Sequence, residues 1–278
     1  MNMEDKMNSA DFPTPYQDLN QVLSELVKSV RTILNNNFIG AYLQGSFAIG
    51  DYDEHSDVDF AMVVKDDITT KEINELQVMH NRIYELGIEC AKHLEGSYFP
   101  LKILQSLPLG QKLWYLDNGS RSLIESDHCN SLVVRWTVRE KGIILAGPDP
   151  KTIINPIPTN NLRKEIYSTI CDWGKEILAN PKQFENRFYQ TFIVLSYCRM
   201  LHDLQNGTIS SKRKGAEWAK KNLDQSWVDL IDGTWQGRPN PAVSVRQPAD
   251  PDDFARTLQF IDYVTKESEA FVKTISLL

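Results

Sequence analysis

Cysteine is scarce in this 278-residue sequence, and the four present, Cys90, Cys129, Cys171 and Cys198, stand far apart with no CxxC pair among them. That spacing excludes a zinc ribbon and a thioredoxin-like redox site, and it suits buried, reduced thiols. Also missing is any apolar run near the roughly 20 residues that span a bilayer. The first fifteen residues are polar and lack the apolar core of a signal peptide. The expectation is a cytoplasmic protein with no membrane partner. Nor is there an excess of positive charge: 30 Lys and Arg against 37 Asp and Glu leave a net charge of -7. A long nucleic-acid duplex selects for a basic face and is not the expected partner, whereas a small polyphosphate held by a local cluster of Lys and Arg is compatible. Internal repeats and low-complexity tracts are absent too. What is present is a hydrophobic fraction of 41%, enough to build a real core, on a length that suits two modest domains.

Periodicity divides the chain. Apolar residues at Leu19, Val22, Leu23, Leu26, Val27, Val30 and Leu34 have helical spacing and give one buried stripe over 16–34. The segments 38–43 and 58–64 read as strands, 70–86 as a helix and 94–99 as a third strand stopped by Pro100. From 107 to 125 the pattern is irregular, punctuated by Gly, Pro, Asp and Asn. A helix over 130–141 and a short strand over 143–145 follow. The proline-dense stretch 147–158 is the linker, because proline removes backbone donors and stops helices. Beyond it the character is helical: 162–179, 185–204, 212–222 and 252–276, with 236–251 read as a loop. The expected fold is α+β over residues 1–150, with a mixed sheet, followed by an α-helical bundle over 151–278.

The informative segment is GSFAIGDYDEHSDVDF, residues 45–60. A Gly-Ser turn leaves one strand, and two aspartates one residue apart open the next. Side chains at i and i+2 of a strand share a face, so Asp57 and Asp59 converge and can hold a hard cation through carboxylate oxygens. Magnesium uses one or two such carboxylates and completes its shell with water and phosphate. Gly45 lets backbone approach phosphate, and Ser46 can hydrogen-bond it. Glu95, at the start of the third strand, is placed to be a third metal ligand or a general base. Such a set suits in-line phosphoryl transfer. The segment is not a P-loop, because Asp51 and Tyr52 stand where Lys and Ser/Thr are required. It is a poor EF-hand, with Ser56 and Met62 in place of the loop's Gly and Glu. A bare acidic turn would explain two aspartates alone, but not the Gly-Ser, Ser56 and the apolar strand after Asp59 together.

With these residues the sequence resembles the polymerase-β-like nucleotidyltransferase superfamily, and within it the aminoglycoside adenylyltransferases that modify streptomycin or spectinomycin. The likeness extends through LAGP (145–148), NPIP (155–158), LSYCRM (195–200), GTISSK (207–212) and AEWA (216–219). The resemblance implies transfer of AMP from ATP to a hydroxyl of a small molecule, an aminoglycoside or aminocyclitol-like antibiotic. It implies magnesium on Asp57, Asp59 and Glu95, with Glu95 also the base. Gly45, Ser46, Ser56, Arg199 and Lys212 would hold the ATP phosphates. Trp114 and Glu185 would meet the acceptor. Streptomycin users carry an acidic residue and a histidine where this chain has Tyr189 and Phe192, which removes a cationic drug's counter-charges. His55, beside the carboxylates, is a further phosphate candidate, though a solvent-facing turn residue suits it better. Asp117, Asp127 and His128 suggest a triad, but no serine elbow accompanies them. The protein is expected to act as a monomer. Two other readings stand beside this one: the same chemistry on a protein or RNA acceptor, and a nucleotide-binding sensor without turnover.

Overall fold

The computed structural model describes residues 13–53, 56–106, 110–238 and 247–276. The chain forms two compact units: residues up to 50 with 57–156, and residues 51–56 with 157–278.

In the first unit, α1 (Gln17–Leu34) buries the predicted stripe from Leu19 to Leu34. α2 (Gly45–Ile49) is a single short turn between β1 (Phe38–Leu43) and β2 (Val58–Val64). α3 (Thr70–Tyr84) begins in a capping box, in which the Thr69 hydroxyl accepts from Glu72 N and the Glu72 carboxylate accepts from Thr69 N. β3 (Leu94–Pro100) leads to α4 (Leu101–Gln105), β4 (Leu113–Leu116), β5 (Leu123–Ser126), α5 (Leu132–Lys141) and β6 (Ile143–Ala146). The six strands lie in the order β5-β4-β3-β2-β1-β6. Only β2 and β3 run parallel; the other neighbours are antiparallel. The sheet is therefore mixed, as expected.

β4 and β5 lie in the stretch that reads as irregular from sequence. Four-residue strands among turn residues carry too few alternations to register as a period; their pairing partners, β3 for β4 and β4 for β5, organise them. Both sheet faces are covered, which is why β2 is buried along almost its whole length. On one face Tyr42, Ala61, Val63, Phe99, Leu113 and Tyr115 pack with Ile103, Val138 and Ile154. On the other, Phe60 stacks on His80 of α3, whose Nε2 lies 2.8 Å from Tyr98 Oη.

The second unit is helical: α6 (Thr159–Ala179), α7 (Arg187–Asn206), α8 (Lys212–Asn222), α9 (Val228–Gln236) and α10 (Pro251–Thr274). α9 was not expected, its nine residues being interrupted by Gly233. Residues 239–246 of the expected loop lie outside the described residues. α7 is central and packs against α6, α8, α9 and α10. α8 approaches it at Gly215, where a Cβ would collide with the backbone of Arg199. The turn between them is pinned by a buried knot: Ser210 Oγ donates to Asp203 Oδ1 at 2.6 Å, and His202 Nδ1 sits 2.8 Å from the same oxygen. Ser210 Oγ also lies 3.0 Å from His202 Nδ1, so hydroxyl, imidazole and carboxylate close a buried triangle. Among the described residues no helix is long and apolar enough to cross a membrane.

Candidate functional site

The carboxylates come together through strand register. Asp59 of β2 stands opposite Glu95 of the parallel β3, so the two side chains leave the same face, and Asp57, two residues before Asp59, shares it. One carboxylate oxygen from each of Asp57, Asp59 and Glu95 lies within 4.8 Å of the other two. Among the described residues this is the one group of three acidic, His or Cys side chains with the spacing to hold a metal ion. All three are partly buried. Oxygen donors in such a cluster match a hard divalent cation.

α2 closes the site from one side. Gln44 N donates to Asp59 O at 2.8 Å, which ties the start of the turn to the metal strand. Gly45 has φ +59°, and a Cβ there would fall on the Asp59 carboxylate. Glycine is thus required twice, for the left-handed backbone and for the space. The next residue, Ser46, has a buried hydroxyl with no hydrogen-bond partner among the described residues. A buried hydroxyl is rarely left unmatched, and a phosphate oxygen would match it.

Glu95 carries its own shell. Tyr115 Oη donates to Glu95 Oε1 at 2.7 Å and lies 2.9 Å from Asp117 Oδ1. His128 Nε2 is 3.5 Å from the same Glu95 oxygen. The hydrogen bond to Glu95 holds the His128 imidazole above its ordinary range, against the effect of desolvation. Burial, then the Glu95 charge, pushes the Tyr115 phenol far up, so it remains a donor. Beneath them, burial raises the Cys129 thiol to about 12, which leaves it inert as a nucleophile. Sequence reasoning missed Tyr115 and met Asp117 and His128 only as a discarded triad. The missing signal was the strand register: with 113–116 paired antiparallel to β3, Tyr115 faces Ser97 and so shares Glu95's face.

The other expected residues fall as follows. Trp114 pairs with Tyr98, and alternation puts it on the opposite face of the sheet from Glu95, so the sheet does not bring it to the carboxylates. The Ser56 hydroxyl accepts from Asp53 N at 2.9 Å and closes the turn before Asp57. His55 lies outside the described residues. In the helical unit, the Arg199 side chain is half-buried on α7 and makes no hydrogen bond or ion pair among the described residues. Lys212 opens α8, with its Nζ 4.4 Å from the centre of the Phe192 ring, and Phe192 stacks on Phe188. Glu185 is exposed in the turn before α7. Asp51 and Asp53, between Gly50 and Asp57, are counted with this unit: Asp51 pairs with Arg213 at 3.0 Å and accepts from Ser211, and Asp53 pairs with Arg238.

Two family profiles match the chain: a polymerase β nucleotidyltransferase over residues 28–94 and an aminoglycoside adenylyltransferase C-terminal domain over 152–260. The chain is 23% identical over 236 residues to a spectinomycin 9-adenylyltransferase of Campylobacter jejuni, covering 81% of this chain and 84% of that protein. It is 26% identical over 226 residues to one of Staphylococcus aureus, covering 77% and 82%. Among solved structures it is similar to the spectinomycin adenyltransferase AAD(9) from Enterococcus faecialis with ATP and spectinomycin. There the TM-score is 0.68 at 16% identity, covering 88% of this chain and 98% of that one.

Proposed function

We propose that this chain, which matches a polymerase β nucleotidyltransferase profile over 28–94 and an aminoglycoside adenylyltransferase C-terminal profile over 152–260, transfers AMP from ATP to a hydroxyl of an aminocyclitol or aminoglycoside, with spectinomycin the first acceptor to test. The observation that carries the reading is the convergence of Asp57, Asp59 and Glu95 within 4.8 Å beside a glycine that only its missing side chain makes compatible with them.

The three carboxylates would hold magnesium, which when bound polarises the α-phosphate and offsets the charge of the leaving pyrophosphate. Ser46 donates its unmatched hydroxyl to a phosphate oxygen, and Gly45 lets the triphosphate approach the backbone. Glu95 accepts the proton of the acceptor hydroxyl as its oxygen attacks the α-phosphorus in line with the departing pyrophosphate. The α-phosphorus bond to the acceptor oxygen forms as its bond to the bridging oxygen breaks. Arg199 and Lys212 steady the pyrophosphate with fixed positive charge. An arginine without a side-chain partner among the described residues, in a helix as apolar as α7, suits an anionic ligand. Glu185 is a candidate contact for a cationic acceptor. Trp114, on the far face of the sheet, has no part in this scheme. The presence of Tyr189 and Phe192 in place of acidic and histidine side chains weighs toward spectinomycin over streptomycin.

Incubation with ATP, magnesium and each drug, followed by mass spectrometry of the drug, tests the proposal. Spectinomycin should gain the mass of one AMP less one water, an adenylyl group replacing the hydrogen of a hydroxyl. No gain on any drug in an aminoglycoside and aminocyclitol panel would overturn the acceptor class.

A further inference from the structure

Glu95 is held by a donor that the transfer chemistry itself does not require. The Tyr115 ring is 4% exposed and packed among Leu113, Cys129 and Val138, with its face tilted against His128 at 5.3 Å. Register fixes it opposite Ser97, two residues beyond Glu95 on the same face. A buried ring has only two side-chain torsions, and close packing fixes both, so its hydroxyl is a stationary donor. It stands 2.7 Å from Glu95 Oε1. A glutamate has three torsions and spreads over several rotamers unless something holds its head group. The other contact on Oε1 is His128, 3.5 Å away with a side chain 65% exposed, too loose to fix an orientation.

We propose that Tyr115 is the positioning residue of the metal set: it commits Glu95 Oε1 to its hydroxyl and leaves the second carboxylate oxygen directed to the cation and the acceptor hydroxyl. This rests on the nucleotidyltransferase reading of the three carboxylates. Asp117, 2.9 Å from the same hydroxyl, is the alternative acceptor of its single proton, and the Glu95 contact at 2.7 Å is the shorter of the two. Groups that hydrogen-bond a metal ligand are typically worth about 10–100-fold in metal affinity or activity, and Tyr115 is expected to fall in that range.

The test compares the full-length protein with Tyr115→Phe and Glu95→Gln by Mn2+ titration, read by electron paramagnetic resonance in the presence of a non-hydrolysable ATP analogue. Tyr115→Phe keeps the ring in the core, and its thermal midpoint, expected within a few degrees of the parent, verifies the fold. The expected result is Mn2+ affinity weakened about tenfold or more, approaching Glu95→Gln, with kcat down by a similar factor and the KM for ATP unchanged within about twofold. Mn2+ affinity of Tyr115→Phe within about twofold of the parent would overturn the proposal, as would a Glu95→Gln variant that binds Mn2+ like the parent. If the parent protein released no pyrophosphate with any acceptor, the transferase reading would fail, and the Mn2+ titration would still decide the role of Tyr115.

Discussion

Gly45 shows how much of the site rests on a missing atom. Its φ of +59° is open to glycine at little cost, and a methyl group there would occupy the place of the Asp59 carboxylate. Gly45→Ala would strain the backbone by about 1–2 kcal/mol and push Asp59 off the metal set. Displacing a catalytic group by about an ångström costs on the order of 100-fold in rate. Pyrophosphate release should therefore fall by about that factor while far-ultraviolet circular dichroism is unchanged; near-parental activity would show that Asp59 does not need this space. Asp57, Asp59, Glu95 and Gly45 were legible in the sequence because a period of two puts i and i+2 on one face, and because a Gly-Ser before an apolar strand is a local pattern. Tyr115 was not legible. Its partner Glu95 lies 20 residues away, and the pairing that joins them is a property of the sheet and not of either segment. For Trp114 the same limit holds, since only the register tells which of two adjacent aromatics faces the carboxylates.

Among elements, α3 carries a consequence for acid stability. His80 is wholly buried against Phe60 and Tyr98, and burial pushes its imidazole down to about 3. An unfolded chain protonates histidine near pH 6.5. Between about 6.5 and about 3 the unfolded state therefore binds a proton that the folded state refuses, and stability rises with pH across that window. The contribution is fully present above about pH 6.5 and is lost as the pH falls, with a slope of up to about 1.4 kcal/mol per pH unit. His80→Phe leaves the Tyr98 hydroxyl without its partner and lowers stability at every pH, but urea unfolding between pH 4 and 7 should show a shallower slope. An unchanged slope would mean that the acid sensitivity originates elsewhere. The long elements were legible: α1 and α3 have buried stripes that a helical period exposes, α7 is a long segment free of Pro and Gly and buried on most sides, and β1 and β2 are apolar runs ended by turn residues. β4, β5 and α9 were not, because each is short and draws its stability from neighbours to which no local pattern points.

For the whole molecule, the proline-dense stretch marks the change from sheet to helices, with the second unit taken up at 157. A second crossing had no local signature. Residues 51–56 group with the helical unit; there Asp51 and Asp53 find Ser211 and Arg238, 160 and 185 residues further along, and the sequence alone presents those aspartates only as part of an acidic turn. The acceptor was the least legible feature. A metal set announces itself by residue type and spacing, whereas an exposed candidate acceptor contact such as Glu185 carries no period and no pairing. The net charge of -7 fits a proposal that assigns the cationic role to a few residues, Arg199 and Lys212.

The proposed role of Asp57 and Asp59 in holding the cation for adenylyl transfer meets its most direct test in their amide variants. Pyrophosphate release is measured with ATP, magnesium and spectinomycin for the parent protein and for Asp57→Asn and Asp59→Asn, each shown folded by its thermal transition. Release by the parent and a loss of more than about 1,000-fold in both variants are expected. Release by either variant at near the parental rate would contradict that role.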